Sequence, residues 1–355
     1  MTAGRRRRRR WPWVVLFLGI VLVALFFVGG GWYFSGQVYD EALKSEPYDP
    51  TSLEAGVIEA ADISEGEGTI TLAPSPQDAD ETKFDDATMG LQSGESLLVV
   101  GPATVAADGT STRPVLEVVG QAPEAGDSYG LVRDVWLTPE EAGLEFEDVT
   151  ITTPEGDAFP AWLIPGKSSK RWAILTHGKG AARSEMLRMA RPLHDAGYTV
   201  LVITYRGDVG APEYPDGQVG YGRSEWRELE SAVEYASANG AERIVLGGVS
   251  HGGAVTLGFM ARSPLAARVD AIILDAPATS LGEMIDQVGE SRSLPVVNAP
   301  IPESLEEAAK LMVAWRYGVS FSQIDYIDAP PIAVPLLIFQ GSDDGTVPQA
   351  VNDRF

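Results

Sequence analysis

Hydrophobic and polar positions divide this chain into three stretches with different rhythms. The first is unbroken: Trp11 to Phe34 carries no charged residue. As a helix this stretch reaches roughly 36 Å, enough to cross a hydrocarbon layer of about 30 Å. Trp11 and Trp13 stand at one end and Trp32 and Tyr33 at the other, where aromatic rings settle at the two membrane interfaces. The pattern predicts a transmembrane helix over residues 11–34. A cleaved signal peptide is the competing reading, because the preceding residues are basic and Gly29–Gly31 and Ser35-Gly36 are small. The apolar stretch exceeds a usual signal core, however, and no A-x-A site follows, so an uncleaved anchor is preferred.

The second stretch, residues 35–145, is acidic and rich in Gly, Pro, Ser and Thr, with short apolar runs at Thr69–Leu72, Leu97–Val100 and Val115–Val119. Turn signals at Pro74-Ser75-Pro76 and Asp108-Gly109 separate them. Short runs between turn signals predict a small β-rich segment packed on the main domain, with a partly extended stalk. No motif here points to chemistry, and a spacer is the expected role rather than a ligand-binding module.

The third stretch, residues 146–355, is regular. Phe146–Thr152 and Phe159–Ile164 alternate around Pro154-Glu155-Gly156-Asp157 and predict a hairpin. Trp172–Thr176, Tyr198–Thr204, Ile244–Leu246, Ala271–Leu274 and Leu336–Phe339 are short aliphatic runs, apolar on both faces as buried parallel strands must be. Between them Met186, Leu187, Ala190 and Leu193 recur at helical spacing up to Gly197, and Trp226, Leu229, Val233 and Ala236 up to Asn239-Gly240. A hairpin followed by βα repeats predicts an α/β fold: a mostly parallel, doubly wound sheet with helices on both faces. An insertion of 279–333 interrupts the alternation. Within it Ser304-Leu305-Glu306-Glu307 reads as a capping box, opening a helix through Leu305, Ala308, Met312 and Trp315 to Gly318.

Charge narrows the picture. The net charge is −23 even though Arg5–Arg10 supply six positive charges in one block. The block, residues 1–10, is expected to stay cytoplasmic and leave the rest of a single-pass chain outside the cell membrane. The remainder is strongly acidic, so a nucleic-acid partner is not expected. No cysteine occurs, which excludes disulfides, thiolate metal sites and a cysteine nucleophile.

The candidate chemistry sits at Gly248-Val249-Ser250-His251-Gly252, which matches G-x-S-x-G between a strand and a helix. There a serine occupies a sharp turn, and small residues two before and two after it remove side chains that would clash where the chain doubles back. The helix that follows aims N–H groups and partial positive charge at a developing oxyanion. Ser250 is the candidate nucleophile, and the backbone N–H of His251 a candidate oxyanion donor.

From about Gly143 to the end the chain resembles the α/β-hydrolase fold family, in its broad serine aminopeptidase and esterase-like group. The residues that carry the likeness are the hairpin ending at Pro165, THGKG at Thr176–Gly180, TYRG at Thr204–Gly207, GVSHGG at Gly248–Gly253 and PLLIFQGSDDGTVP at Pro335–Pro348. The resemblance implies a second oxyanion donor at the Lys179 backbone N–H, a triad acid at Asp344 and a cap formed by the insertion. Asp343 and Asp275 are rivals for the acid, and either would otherwise cap a turn. His177 is expected to serve structure at the strand end. No cofactor or metal is implied.

In this fold the order is serine, acid, histidine, yet no histidine follows Asp344. The three histidines, His177, His194 and His251, all precede it, and none is a convincing base. Leu336–Phe339 would also end as an uncovered strand. The sequence is therefore expected to lack a C-terminal piece holding a strand, the histidine and a last helix. Two functions follow. One is a membrane-anchored hydrolase of ester or amide bonds acting on a small-molecule or peptide acyl substrate through acyl-Ser250; the other is a non-catalytic binding or scaffold protein that keeps the fold without its base.

Overall fold

A computed structural model describes residues 11–46, 48, 54–74, 85, 87–132, 134–290, 292–294, 299–329 and 332–355. The arginine block and the Ser75-Pro76 turn lie outside the described residues. The chain forms two compact units. One gathers the N-terminal helix up to Lys44, Thr279–Ala329 and Gln340–Phe355; the other holds Ser45–Ala278 and Pro330–Phe339.

Helix α1 spans Trp11–Val38 and continues as a wider π turn over Tyr39–Leu43. It runs past the apolar stretch because nothing between Phe34 and Leu43 breaks a helix. It is long and apolar enough to cross a membrane by length and composition.

The second stretch contains more strand than its three apolar runs suggested. β1 (Glu54–Ser64), β2 (Glu67–Leu72), β3 (Met89–Ser93), β4 (Ser96–Val100), β5 (Thr104–Val105), β6 (Ser111–Val119) and β7 (Ser128–Val132) form one antiparallel sheet in the order β2-β1-β7-β3-β4-β6-β5. β2 also pairs with β6, from Gly68↔Val115 to Leu72↔Ser111. That pairing closes the sheet into a barrel and leaves no long free edge. Ile58, Ile70, Leu72, Met89, Leu91, Leu98, Val100, Val115, Tyr129 and Leu131 fill it.

β4 shows why the barrel is more than a tether. Leu98 and Val100 point into the barrel, while Leu97 and Val99 pack with Ile164, Ala173, Leu175, Val200 and Val202 of the second sheet. Side chains alternate between faces with a period of two, so both faces of β4 are covered. Burying each of these aliphatic side chains contributes about 1.5–3 kcal/mol.

The second sheet is built from β8 (Glu147–Thr152), β9 (Ala158–Ile164), β10 (Ser168–Thr176), β11 (Tyr198–Ile203), β12 (Arg243–Val249), β13 (Val269–Asp275) and β14 (Leu336–Phe339), in the order β14-β13-β12-β10-β11-β9-β8. β8 and β9 form the expected hairpin, β9 runs antiparallel to β11, and the five strands from β11 to β14 are parallel. The crossovers are α2 (Leu187–Asp195), α3 (Trp226–Ala238) and α4 (His251–Arg262). The chain passes from β11 over β10 to β12, so strand order reverses at β10. Crevices at the carboxyl ends of such reversals are where open α/β sheets bind ligands. β14 is the edge, and Leu336, Leu337 and Phe339 are exposed along it.

The insertion contains α5 (Leu281–Glu290) and α6 (Glu303–Tyr317), and α7 (Gln349–Asn352) follows β14. α6 departs from the expected capping box: its N-cap is Pro302, whose carbonyl accepts from the N–H groups of Leu305 at 2.7 Å and Glu306 at 3.2 Å. Proline's fixed φ already suits a helix start, so Ser304 enters the first turn as an ordinary helical residue. The other end agrees with expectation, with Gly318 in the left-handed conformation that glycine tolerates best.

Candidate active site

Ser250 stands between β12 and α4 with φ 49° and ψ −112°, a conformation that non-glycine residues rarely hold and that costs about 1–3 kcal/mol. The neighbours make it possible. A Cβ on Gly248 would lie 2.4 Å from the Gly252 carbonyl oxygen, and one on Gly252 would lie 2.1 Å from the Thr176 carbonyl oxygen. Each of these positions therefore requires glycine. Backbone bonds fix the turn: Ser250 N–H donates to the Asp275 carbonyl at 2.8 Å, and the Ser250 carbonyl accepts from Gly253 at 3.0 Å and Ala278 at 3.0 Å. The amide of His251, the first residue of α4, has no intrahelical partner by helix geometry.

The segment after β10 comes alongside. A Cβ on Gly178 would sit 3.4 Å from Ser250 Cβ, in ordinary contact. Gly178 is pinned from three directions: its N–H donates to Glu185 Oε2 at 2.7 Å, and its carbonyl accepts from Tyr205 Oη at 2.7 Å and from His177 Nδ1 at 2.9 Å. His177 Nε2 lies 2.8 Å from Asp208 Oδ2, which also takes the Tyr205 N–H. Both ring nitrogens of His177 thus face acceptors, which favours the imidazolium. Burial pulls its pKa down, but Asp208 and the Gly178 carbonyl outweigh that and raise it. His177 accordingly braces the segment that carries the half-buried Lys179.

Beneath α4 lies a cluster that sequence reading did not find. Glu225 is fully buried and accepts from Tyr214 Oη at 2.7 Å, Gly220 N–H at 2.5 Å, Gly222 N–H at 3.1 Å and Ser224 Oγ at 3.1 Å. His251 Nε2 is 3.4 Å from Glu225 Oε1, ion-pair range without hydrogen-bond geometry. Burial alone would raise the Glu225 pKa; His251 and the other donors together hold it well below the usual carboxylate range. Tyr205 and Tyr221 rings flank His251, at 5.0 and 5.3 Å. Next along α3, Glu228 is buried against Arg206, whose Nε donates at 2.6 Å. There burial wins over Arg206, and the Glu228 pKa rises to about 7. The only signal in the sequence was an acid within a glycine-rich run lacking apolar periodicity.

Asp344 belongs to the other unit. Its Oδ1 accepts from the N–H groups of Thr346 and Val347, each at 2.9 Å, closing the turn after β14. β14 reaches the same sheet edge as Ser250: Phe339 pairs with Asp275, whose carbonyl takes the Ser250 amide. Asp275 ends β13, and Asp343 lies beside Asp344 in the turn after β14. Of the three histidines, His177 hydrogen-bonds Asp208, His251 Nε2 lies 3.4 Å from Glu225 without hydrogen-bond geometry, and His194 on α2 has Nδ1 3.7 Å from Asp195.

A model of the alpha/beta hydrolase family matches residues 163–352. An uncharacterized protein of Mycobacterium tuberculosis (strain ATCC 25618 / H37Rv) is 32% identical over 143 residues, 39% of this chain and 47% of that protein. Dipeptidyl peptidase family member 6 of Caenorhabditis elegans is 28% identical over 269 residues, 69% of this chain and 34% of that protein. The chain therefore spans less than half the length of these curated relatives. Among solved structures, an esterase of Pyrococcus furiosus superposes with a TM-score of 0.46 at 22% identity, covering 62% of this chain and 80% of that one.

Proposed function

Because the chain belongs to the alpha/beta hydrolase family, we propose that it is a membrane-anchored serine hydrolase cleaving ester or amide bonds, with α1 as the anchor, the N-terminus cytoplasmic and the hydrolase domain outside. Family membership supports hydrolysis in general; the serine mechanism rests on one observation, the strained Ser250 turn. Strain of that kind persists where surrounding structure over-determines it, and it lifts Oγ clear of the strand.

In this reading Ser250 Oγ attacks the carbonyl carbon of an acyl substrate. The carbonyl oxygen becomes an oxyanion, held by the amide N–H groups of His251 and Lys179, and the alcohol or amine departs with a proton. Water then cleaves acyl-Ser250, releasing the acid and restoring the hydroxyl. The rigid Gly178 segment and the first amide of α4 suit that role because donors fixed in advance need no reorganisation. Asp344 is assigned as the acid that orients the base. No cofactor enters the chemistry.

The base is not assigned among the three histidines. The second reading is a protein that retains the fold and binds without cleaving. A fluorophosphonate probe separates the two. Hydrolase chemistry requires Ser250 to label far faster than an ordinary serine and Ser250→Ala to abolish that labelling; equal, slow labelling of both would favour the binding reading.

A further inference from the structure

The apolar helix and the insertion meet within one unit, and their contacts are specific. On α1, Gly31 and Ser35 are buried one turn apart. A Cβ on Gly30 would lie 2.8 Å from Leu305 Cδ1, and one on Gly31 would lie 3.1 Å from the Ala308 carbonyl oxygen. Arg316 Nη1 donates to the Trp32 carbonyl at 2.9 Å and to Ser35 Oγ at 2.6 Å, with its guanidinium 3.7 Å from the centre of the Trp32 ring. Tyr317 stacks on Tyr39 with ring centres 4.5 Å apart. Small residues along one stripe of an apolar helix permit this close approach.

These contacts give α6 a depth. Along α6 from Leu305 to Tyr317 the rise is about 18 Å, while the points touched on α1 and its continuation, from Gly30 to Tyr39, rise about 13 Å. α6 therefore runs obliquely, starting level with the last turn of the apolar stretch and passing the Trp32–Tyr33 pair. The contacts also give α6 an orientation. α5 packs on its Glu306–Lys310 side, where Gly289 meets Glu306 and Lys310 Nζ bonds Asp286 at 2.9 Å. Arg292, just beyond α5, grips Glu41 through two donors at 3.1 and 2.6 Å. Glu41 lies about 13 Å further along the helix than Trp32, outside the apolar stretch. α5 is therefore on the side of α6 that faces away from the membrane.

The opposite side of α6 carries Leu311 and Trp315, one turn apart, with Ser304 and Glu307 toward its start. Leu311 is 71% and Trp315 74% exposed. A leucine and a tryptophan left open on an otherwise packed helix are a liability in water. At the depth of an aromatic belt they suit the boundary between headgroups and acyl chains. From this geometry we propose that the Leu311–Trp315 face of α6 is seated in the interfacial layer of the same phospholipid bilayer that holds α1. The insertion is then an interfacial element, with Arg316 and the Gly30–Gly31 seam fixing its depth. This rests on the reading of α1 as a membrane anchor.

The absence of cysteine from the sequence makes the test direct. Leu22→Cys, Leu311→Cys and Trp315→Cys, each the sole thiol of the full chain, are labelled with an environment-sensitive fluorophore and reconstituted in phosphatidylcholine vesicles. Nitroxide-bearing phosphatidylcholine, labelled near the headgroup or deep in the acyl chain, serves as quencher. The expected result is deep quenching at position 22, and at 311 and 315 a blue-shifted emission that falls at least about twofold with the shallow quencher. Quenching at 22 with water-like, unquenched emission at 311 and 315 would overturn the interfacial seat and leave the anchor standing. Blue-shifted emission at 311 and 315 that no lipid nitroxide quenches would mean that protein, such as a second copy, covers the face, and would likewise overturn it. Loss of quenching at all three positions would remove the anchor and this proposal together.

Discussion

Gly252→Ala tests the architecture of the Ser250 turn by the smallest available perturbation. The added methyl would lie 2.1 Å from the Thr176 carbonyl oxygen, 2.6 Å from the Thr176 carbonyl carbon and 2.6 Å from the His177 carbonyl oxygen. Optimal separations of such atoms are about 3.5 Å, so the start of α4 must retreat from β10 by roughly 1 Å or more. β10 cannot yield, because it is paired in register on both sides, to β11 and to β12. α4 has little freedom either, since a Cβ on Gly253 would already lie 2.6 Å from Pro277 Cβ. Overpacking against fixed backbone is expected to cost about 3 kcal/mol, the upper part of the usual range. For a domain of this size that lowers the midpoint by about 6–12 °C. Gly282→Ala, where the nearest atom is 3.8 Å away within α5, should leave the midpoint unchanged or slightly higher. Thermal unfolding followed by circular dichroism reads the difference. Probe labelling of Ser250 should slow by about 100-fold, because displacements near 1 Å carry penalties of that order. A Gly252→Ala protein that melts within about 2 °C of wild type would refute the account of the turn.

The remaining predictions concern strain and buried charge. Ser250→Gly should be more stable than Ser250→Ala by about 1 kcal/mol in chemical denaturation, since glycine adopts φ 49° without strain; equal stability would show that the turn stores none. Glu225→Gln should lose about 2–4 kcal/mol, because the amide sets a donor against the N–H groups of Gly220 and Gly222 where the carboxylate accepts both; an unchanged denaturation midpoint would show that the buried acid is dispensable. For Glu228 the sign runs the other way. Its pKa rises from 4.5 to about 7 on folding, so the folded state binds the proton more tightly. Its stabilising contribution is present below pH about 4.5 and is lost as pH climbs through about 7. Glu228→Gln should flatten that decline relative to wild type, measured as midpoint against pH; parallel curves would place the titration elsewhere.

Sequence alone determined much of this protein. The charge-free run from Trp11, the period-two hairpin, the aliphatic runs and the helical spacings are local signals, and β8 to β14 with α2 to α4 lie where those signals put them, as does the glycine pattern that lets Ser250 turn. Each is legible because one element's burial is written in its own periodicity. The barrel was only partly visible: β1, β3 and β7 have weak patterns and are strands because closure of β2 on β6 supplies their partners. Only the tertiary structure could decide the work of the buried polar groups. Glu225 and His251 stand far apart in the chain, and their charges take meaning from a shared dry site, while His177 is set by Asp208 and a carbonyl rather than by its neighbours in sequence. The seam of Gly30 and Gly31 against α6 is of the same kind. Small residues in an apolar run fit a cleavage site, a flexible turn or a packed crossing equally well, and what selects among these is the helix that arrives from residues 303–317, a contact with no local signature.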